Sequence, residues 1–235
     1  SSTALGRFTE ASGESSTAIG RSATASGQNS TAIGNASTAS GLSSFAIGTF
    51  STASGDGSIS MGGLTIASNI NSIAMGSYSN ASGVISTSMG YSTTASGPYS
   101  TATGFESIAT GASSFTLGMR TNASGNGSLA TGELTKASGH QTVAMGEETT
   151  ARSLASLVLG RFNDSIATSS KNLWVVTDPV FIIGNGDSDA NRKNALTVYK
   201  NGTLQLENLT STPANHSDKF YVLNNVPYYG DKILN

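Results

Sequence analysis

The chain has no cysteine. Disulfides and zinc–thiolate sites are therefore excluded, and the redox compartment is left open. Charge is sparse: Asp, Glu, Lys and Arg make up 11% of the residues and the net charge is -2. No broad basic field exists to attract nucleic acid. No apolar run is long enough to cross a bilayer, so no membrane insertion is expected of this segment. No secretion signal is visible either. The chain opens in mid-repeat at Ser1-Ser2-Thr3-Ala4-Leu5-Gly6, so it is expected to be a fragment of a longer protein.

Histidine occurs twice, at His140 and His216. Ser/His/Asp catalysis needs a base positioned on a defined site, which a repeated serine does not supply. His140 follows Gly139 in a turn and His216 lies in a polar loop, so both read as solvated. Asp187-Ser188-Asp189-Ala190-Asn191 starts like a calcium loop. Arg192 stands where that loop needs Gly, and Val198 where it needs Glu, so a polar turn is expected. No catalytic residue, metal or cofactor is assigned.

What the sequence does have is glycine at a fixed spacing. Gly6, Gly13, Gly20 and Gly27 begin a series of sevens that runs to Gly146 and ends at Gly160; only Asn69 and Ser153 interrupt it. A low-charge chain of Ser, Thr, Gly and Asn resembles disordered composition, but the strict period argues against disorder. A coiled coil is excluded, because a helix with Gly at every seventh residue is very unfavourable. The unit reads instead as a short strand closed by a glycine turn. On that reading Asn69 is a mild exception, since Asn tolerates positive φ.

The repeat doubles to fourteen. Before alternate glycines stand Leu5, Ile19, Ile33, Ile47, Met61, Met75, Met89, Leu117, Met145 and Leu159. Before the others stand mainly serines, such as Ser12, Ser26, Ser40 and Ser54. Ala4, Ala11, Ala18, Ala25, Ala32 and Ala39 sit one residue further back. Side chains alternate along a strand, so the Ala columns share a face with small residues such as Ser16 and Ser37. That face is expected to be the interior of a thin solenoid. The Leu/Ile/Met column pairs with Thr17, Phe45, Ile59 and Phe115 on an apolar outer face. The other outer face is polar, as in Thr24/Ser26, Asn80/Ser82 and Lys136/Ser138. About eleven coils at ~4.8 Å give a rod of roughly 55 Å. An apolar stripe of that length needs a partner, most simply copies of the same chain.

Segments such as Ser16-Thr17-Ala18-Ile19-Gly20 followed by Ser22-Ala23-Thr24-Ala25-Ser26-Gly27 resemble the head repeats of bacterial trimeric autotransporter adhesins. The likeness covers residues 1 to about 160. It implies an all-β, left-handed parallel β-roll and a homotrimer in which the Leu/Ile/Met column meets on the axis. It also implies an extracellular or cell-surface location and a role in adhesion. The repeat is shared with other trimeric fibres, so a tail fibre of a phage or injection machine is a second reading. A passive spacer rod is a third. An ice-binding array is a fourth, from Thr24-x-Ser26, Thr38-x-Ser40 and Thr52-x-Ser54, although Ile66, Asn80, Ile108, Asn122 and Lys136 break it.

Composition changes after Gly160, and the only Trp lies there. Asn172–Thr177 reads as a strand broken by Pro179, Val180–Gly184 as another, and Ala195–Lys200 as a third. Asn201-Gly202 is a hairpin turn leading into Thr203–Leu206. Residues 161–206 are expected to form a β connector or cap, and 207–235 an extended linker or second cap. The segment resembles those that follow repeats in bacterial surface and tail-fibre-like proteins. Tyr78, Tyr91, Tyr99, Phe50 and Phe105 fall in or beside turns, where they either contact glycans or proteins or pack across subunits. The surface ligand, glycan or protein, is not legible.

Overall fold

The computed structural model describes residues 1–209, 220–224, 226–229 and 232–233. Among these there are strands and turns but no helix. Twelve five-residue strands run from β1 (Thr3–Arg7) and β3 (Thr17–Arg21) to β23 (Leu157–Arg161). They alternate with eleven two-residue strands, from β2 (Glu10–Ala11) to β22 (Thr150–Ala151). Long strands stack in parallel in one sheet and short strands in another. Ala4 pairs with Ala18, Gly6 with Gly20 and Ala11 with Ala25, so each coil spans fourteen residues. The fold is a parallel β-solenoid of about eleven turns.

The interior is built from the smallest side chains. Ala18, Ala32 and Ala46 of the long sheet and Ala25, Ala39 and Ala53 of the short sheet are fully buried. Ala4 and Ala11 lie in the same columns, but no coil precedes them. Ala4 is exposed and Ala11 half-buried. Where serine replaces the interior alanine, a hydroxyl partner is supplied on the facing side: Ser60 and Thr65 lie 2.8 Å apart, as do Ser88 and Thr93. Ser16, Ser30 and Ser44 bury hydroxyls that have no partner.

The corners carry the left-handed conformations. Ser22 (φ 53) and Asn29 (φ 57) mark the two corners of one coil, and the same slots recur in each following coil. Their N–H groups donate to Arg7 O and Glu14 O at 2.8 Å, so the backbone ladder continues around each bend. The glycines do something else. Gly118 has φ +132, yet Gly125 is not in the positive region. At both, an added Cβ would overlap the backbone carbonyl of the next coil, Gly132 and Gly139 respectively. The second glycine set is thus required by close stacking of coils rather than by a turn conformation. This corrects the reading of Asn69, which does not have positive φ. Gly55 N and Gly83 N donate to Ala67 O and Ala95 O in the next coil. Asn69 N turns to Ser72 Oγ at 3.2 Å instead, and its side-chain amide donates to Ser82 O at 3.1 Å.

The roll does not stop at Gly160. Strand β24 (Pro179–Asn185) adds to the long sheet in parallel, pairing Leu157 with Phe181, Val158 with Ile182 and Gly160 with Gly184. Strands β25 (Asn194–Tyr199) and β26 (Leu204–Leu206) extend it antiparallel around the Asn201-Gly202 turn. The short sheet ends earlier. Asn163, fully buried, accepts from Thr150 N at 2.7 Å and donates to Thr150 O at 3.1 Å. Its side-chain amide replaces the backbone of a missing coil. The strand expected over Asn172–Thr177 is absent. Asp178 N donates to Val175 O at 2.9 Å, closing a turn there, and Pro179 opens β24 rather than ending a strand. A separate four-stranded sheet contains β27 (Asn208–Leu209), β28 (Phe220–Leu223), β29 (Val226–Tyr229) and β30 (Lys232–Ile233).

Candidate functional site

The outer face of the long sheet follows from strand alternation. With Ala18 inward, Thr17 and Ile19 must point outward. Register then aligns Leu5, Ile19, Ile33, Ile47, Met61, Met75 and Met89 in one column. Thr103 and Thr131 interrupt it before Met145 and Leu159. The column is therefore interrupted, whereas the sequence pattern implies an outer face that is apolar along the whole rod. Thr103 turns its hydroxyl back into its own sheet, donating to Thr116 O at 2.9 Å. Ile183 extends the column past Leu159, and Phe181 extends its neighbour. These two were not recognised as part of the face, although Phe181-Ile182-Ile183-Gly184 repeats the strand pattern. In the single chain the face is only half covered: Leu117 is 50% exposed, and Met89 and Met145 nearly 40%.

The short-sheet face is polar and shallow. Thr24, Thr38 and Thr52 stand in register, followed by Ile66 and Asn80. The hydroxyl array thus lasts for only part of the rod.

The two corners differ along their length. On the corner after the long strands, Tyr91 stacks on Phe105 with ring centroids 5.1 Å apart, and Tyr78 meets Tyr91 edge-on at 5.7 Å. Arg120 and Glu106 form an ion pair of 2.7 Å on the same edge. The opposite corner carries exposed Leu42, Ile70, Ile85 and Tyr99. Of these only Tyr99 stood out in the sequence, because isolated aliphatics in a turn carry no pattern.

The segment after Gly160 holds a cluster of ion pairs. Arg192 donates to Glu148 O at 2.7 Å, lies 3.1 Å from the Glu148 carboxylate, and pairs with Asp189. The residue that spoils the calcium-loop pattern is thus the clamp between this loop and the last coils of the roll. Hydrogen bonds from Asn191 and Ser188 hold the Asp187 carboxyl below the ordinary Asp range. No group of three or more His, Asp or Glu able to hold a metal occurs among the described residues. A cleft of about 410 Å³ beside this loop is lined by Asp164, Arg192, Lys193, Tyr199 and Glu207. Both of its cations are already paired, Arg192 with Glu148 and Asp189, and Lys193 at 4.0 Å from Glu207. Lys200 sits over the Trp174 ring at 4.7 Å, and burial lowers its pKa. His140 sits at a corner, its N–H donating to Lys171 O at 2.8 Å. His216 lies outside the described residues.

The repeat, the alanine interior and the half-covered apolar face have a match among known families. A family model described as the YadA head domain repeat matches residues 1–23, 11–37, 25–51, 39–65, 53–79, 67–84, 81–107 and 123–149. Together these cover more than half of the chain. No curated protein matches it. Heads of this family are extracellular parts of surface adhesins and are homotrimeric. Family and solenoid fold are of structural, adhesin type rather than enzymatic. The chain belongs to the YadA head repeat family, the heads of trimeric autotransporter adhesins.

Proposed function

We propose that three copies of this chain pack their long-sheet faces around a common axis. The assembled rod is the head of a surface adhesin that attaches to cells, matrix or other surfaces through many shallow contacts. The observation that carries this reading is the register-aligned Leu/Ile/Met column, left half-exposed in the single chain. A stripe of that length on a monomer promotes aggregation, and a closed ring of copies buries it. The polar short-sheet faces then point outward, one per protomer. Residues 161–206 act as the connector and 207–235 as a linker or second cap. The bound surface is a glycan or a protein, recognised by repetition rather than by one deep pocket.

Linking three weak faces raises apparent affinity by roughly 10²–10⁴ when all can engage together. The test is retention of the rod on arrays of glycans and matrix proteins, compared with an Ile33→Asp variant at equal chain concentration. Retention of the native rod with loss in the variant supports an avidity-based adhesin. Equal retention of both, or retention of neither, overturns it.

A further inference from the structure

At several levels, most of them in the middle of the roll, the two corners carry matching side chains. The first corner follows each long strand and the second precedes it. Strands β11 (Ile73–Ser77), β13 (Thr87–Tyr91) and β15 (Thr101–Phe105) define three adjacent levels. At β11 the second corner presents Ile70 and the first Tyr78, 50% and 53% exposed. At β13 they present Ile85 and Tyr91, 48% and 46% exposed. At β15 they present Tyr99 and Phe105, 60% and 38% exposed. Strand β7 (Phe45–Thr49) repeats this with Leu42 and Phe50. Nearer the start, at β3, the second corner has exposed Glu14 and the first exposed Arg21. At β21 (Val143–Glu147) they have His140 and Glu147. Other levels do not match: at β9 (Ile59–Gly63) Asp56, its carboxylate accepting from Leu42 N at 2.9 Å, stands at the level of Leu64, at β17 (Phe115–Met119) exposed Met119 faces Ala112 and Ser113, and at β1 exposed Phe8 faces Ser1 and Ser2.

Within one chain the two corners are held apart by the strand between them, so they do not cover each other. A threefold ring brings them together. If long sheets face the axis, all strands run the same way around it. The end of a strand on one protomer then approaches the start of the same strand on the next. Rotation without translation keeps each level opposite itself. We infer that these corners form the seam between protomers: the Tyr78–Tyr91–Phe105 ridge docks on Ile70, Ile85 and Tyr99 of the next copy. Glu14 and Arg21 pair across the same seam near the start of the rod. The inference rests on the trimer proposed above. A glycan platform would require the aromatic ridge alone; it gives no reason for the opposite corner to be apolar at the same levels.

The chain has no cysteine, so introduced thiols report cleanly. A double variant Ile85→Cys with Tyr91→Cys places two thiols at one level. Within a chain they are separated by a five-residue strand of about 17 Å, beyond disulfide reach. The control, Ile85→Cys with Phe50→Cys, separates the thiols by three coils, about 14 Å in height. Each variant is first weighed by light scattering, then oxidised and run without reductant. The expected result is a trimer in both, with a covalent three-chain band for the matched pair alone. A trimer in which the matched pair stays unlinked, or links no better than the control, overturns the seam and leaves the trimer standing. A monomer for the unsubstituted chain overturns both. Arg21→Glu adds a test with no thiol: it lowers the dissociation midpoint of the trimer, and adding Glu14→Arg to the same chain restores it. Failure of the second change to restore the midpoint counts against the seam.

Discussion

Two neighbouring glycines should respond very differently to the same methyl group. Gly127 sits at a corner with φ +65, and a Cβ there would meet only Gln141 Cγ, at 3.7 Å. The cost of Gly127→Ala is the left-handed conformation, about 1–2 kcal/mol. Loss of unfolded-state freedom offsets about 0.4–1 kcal/mol of that. Gly118 has φ +132, and its Cβ would overlap the Gly132 carbonyl of the next coil. The conformation alone costs about 1–3 kcal/mol. The coils must also part, and each ladder hydrogen bond lost there adds about 1 kcal/mol. Gly118→Ala is therefore expected to cost about 4 kcal/mol or more, against about 1 for Gly127→Ala. For a chain of this size 1 kcal/mol shifts the melting point by roughly 2–4 °C. Thermal melts followed by circular dichroism should show a fall of roughly 10 °C for Gly118→Ala and of no more than about 4 °C for Gly127→Ala. Equal shifts for the two would refute the close-stacking explanation of the heptad glycines.

Other substitutions test other parts of the structure. Ile33→Asp places a carboxylate on the apolar column; the expected outcome is dissociation or aggregation, read by size-exclusion chromatography. Ser44→Ala removes a buried hydroxyl that has no partner, so its denaturation midpoint should stay level or rise, equivalent to about 1 kcal/mol at most. Arg192→Met breaks the clamp between connector and roll; amide exchange should accelerate at Lys193 and Phe162 while the alanine-lined coils keep their protection.

Much of the roll was legible because its two periods are physical ones. Alternation along a strand separates Ala18 from Ile19, and the fourteen-residue coil stacks like on like, so interior and apolar face emerge from counting. The purpose of glycine was misread at Asn69, because steric contact between coils leaves no trace in a single coil. The expectation over Asn172–Thr177 rested on composition. Leu173 and Trp174 are more than half exposed and pair with no strand. Phe181–Gly184 belongs to the long sheet, but the insertion after Gly160 breaks the spacing that would have shown it. The Arg192–Glu148 clamp joins residues far apart in sequence, and no local pattern encodes it. The corner residues Ile70 and Ile85 became visible only when the coils set them level with Tyr78 and Tyr91.

The assembly itself is tested most directly by the mass of the purified chain in solution, measured by light scattering. Three chains of 23.7 kDa each is the expected result, unchanged on dilution to working concentrations. A single chain with a stable, sharp melting transition would contradict it, because the Leu/Ile/Met face would then be tolerated by water with nothing to cover it.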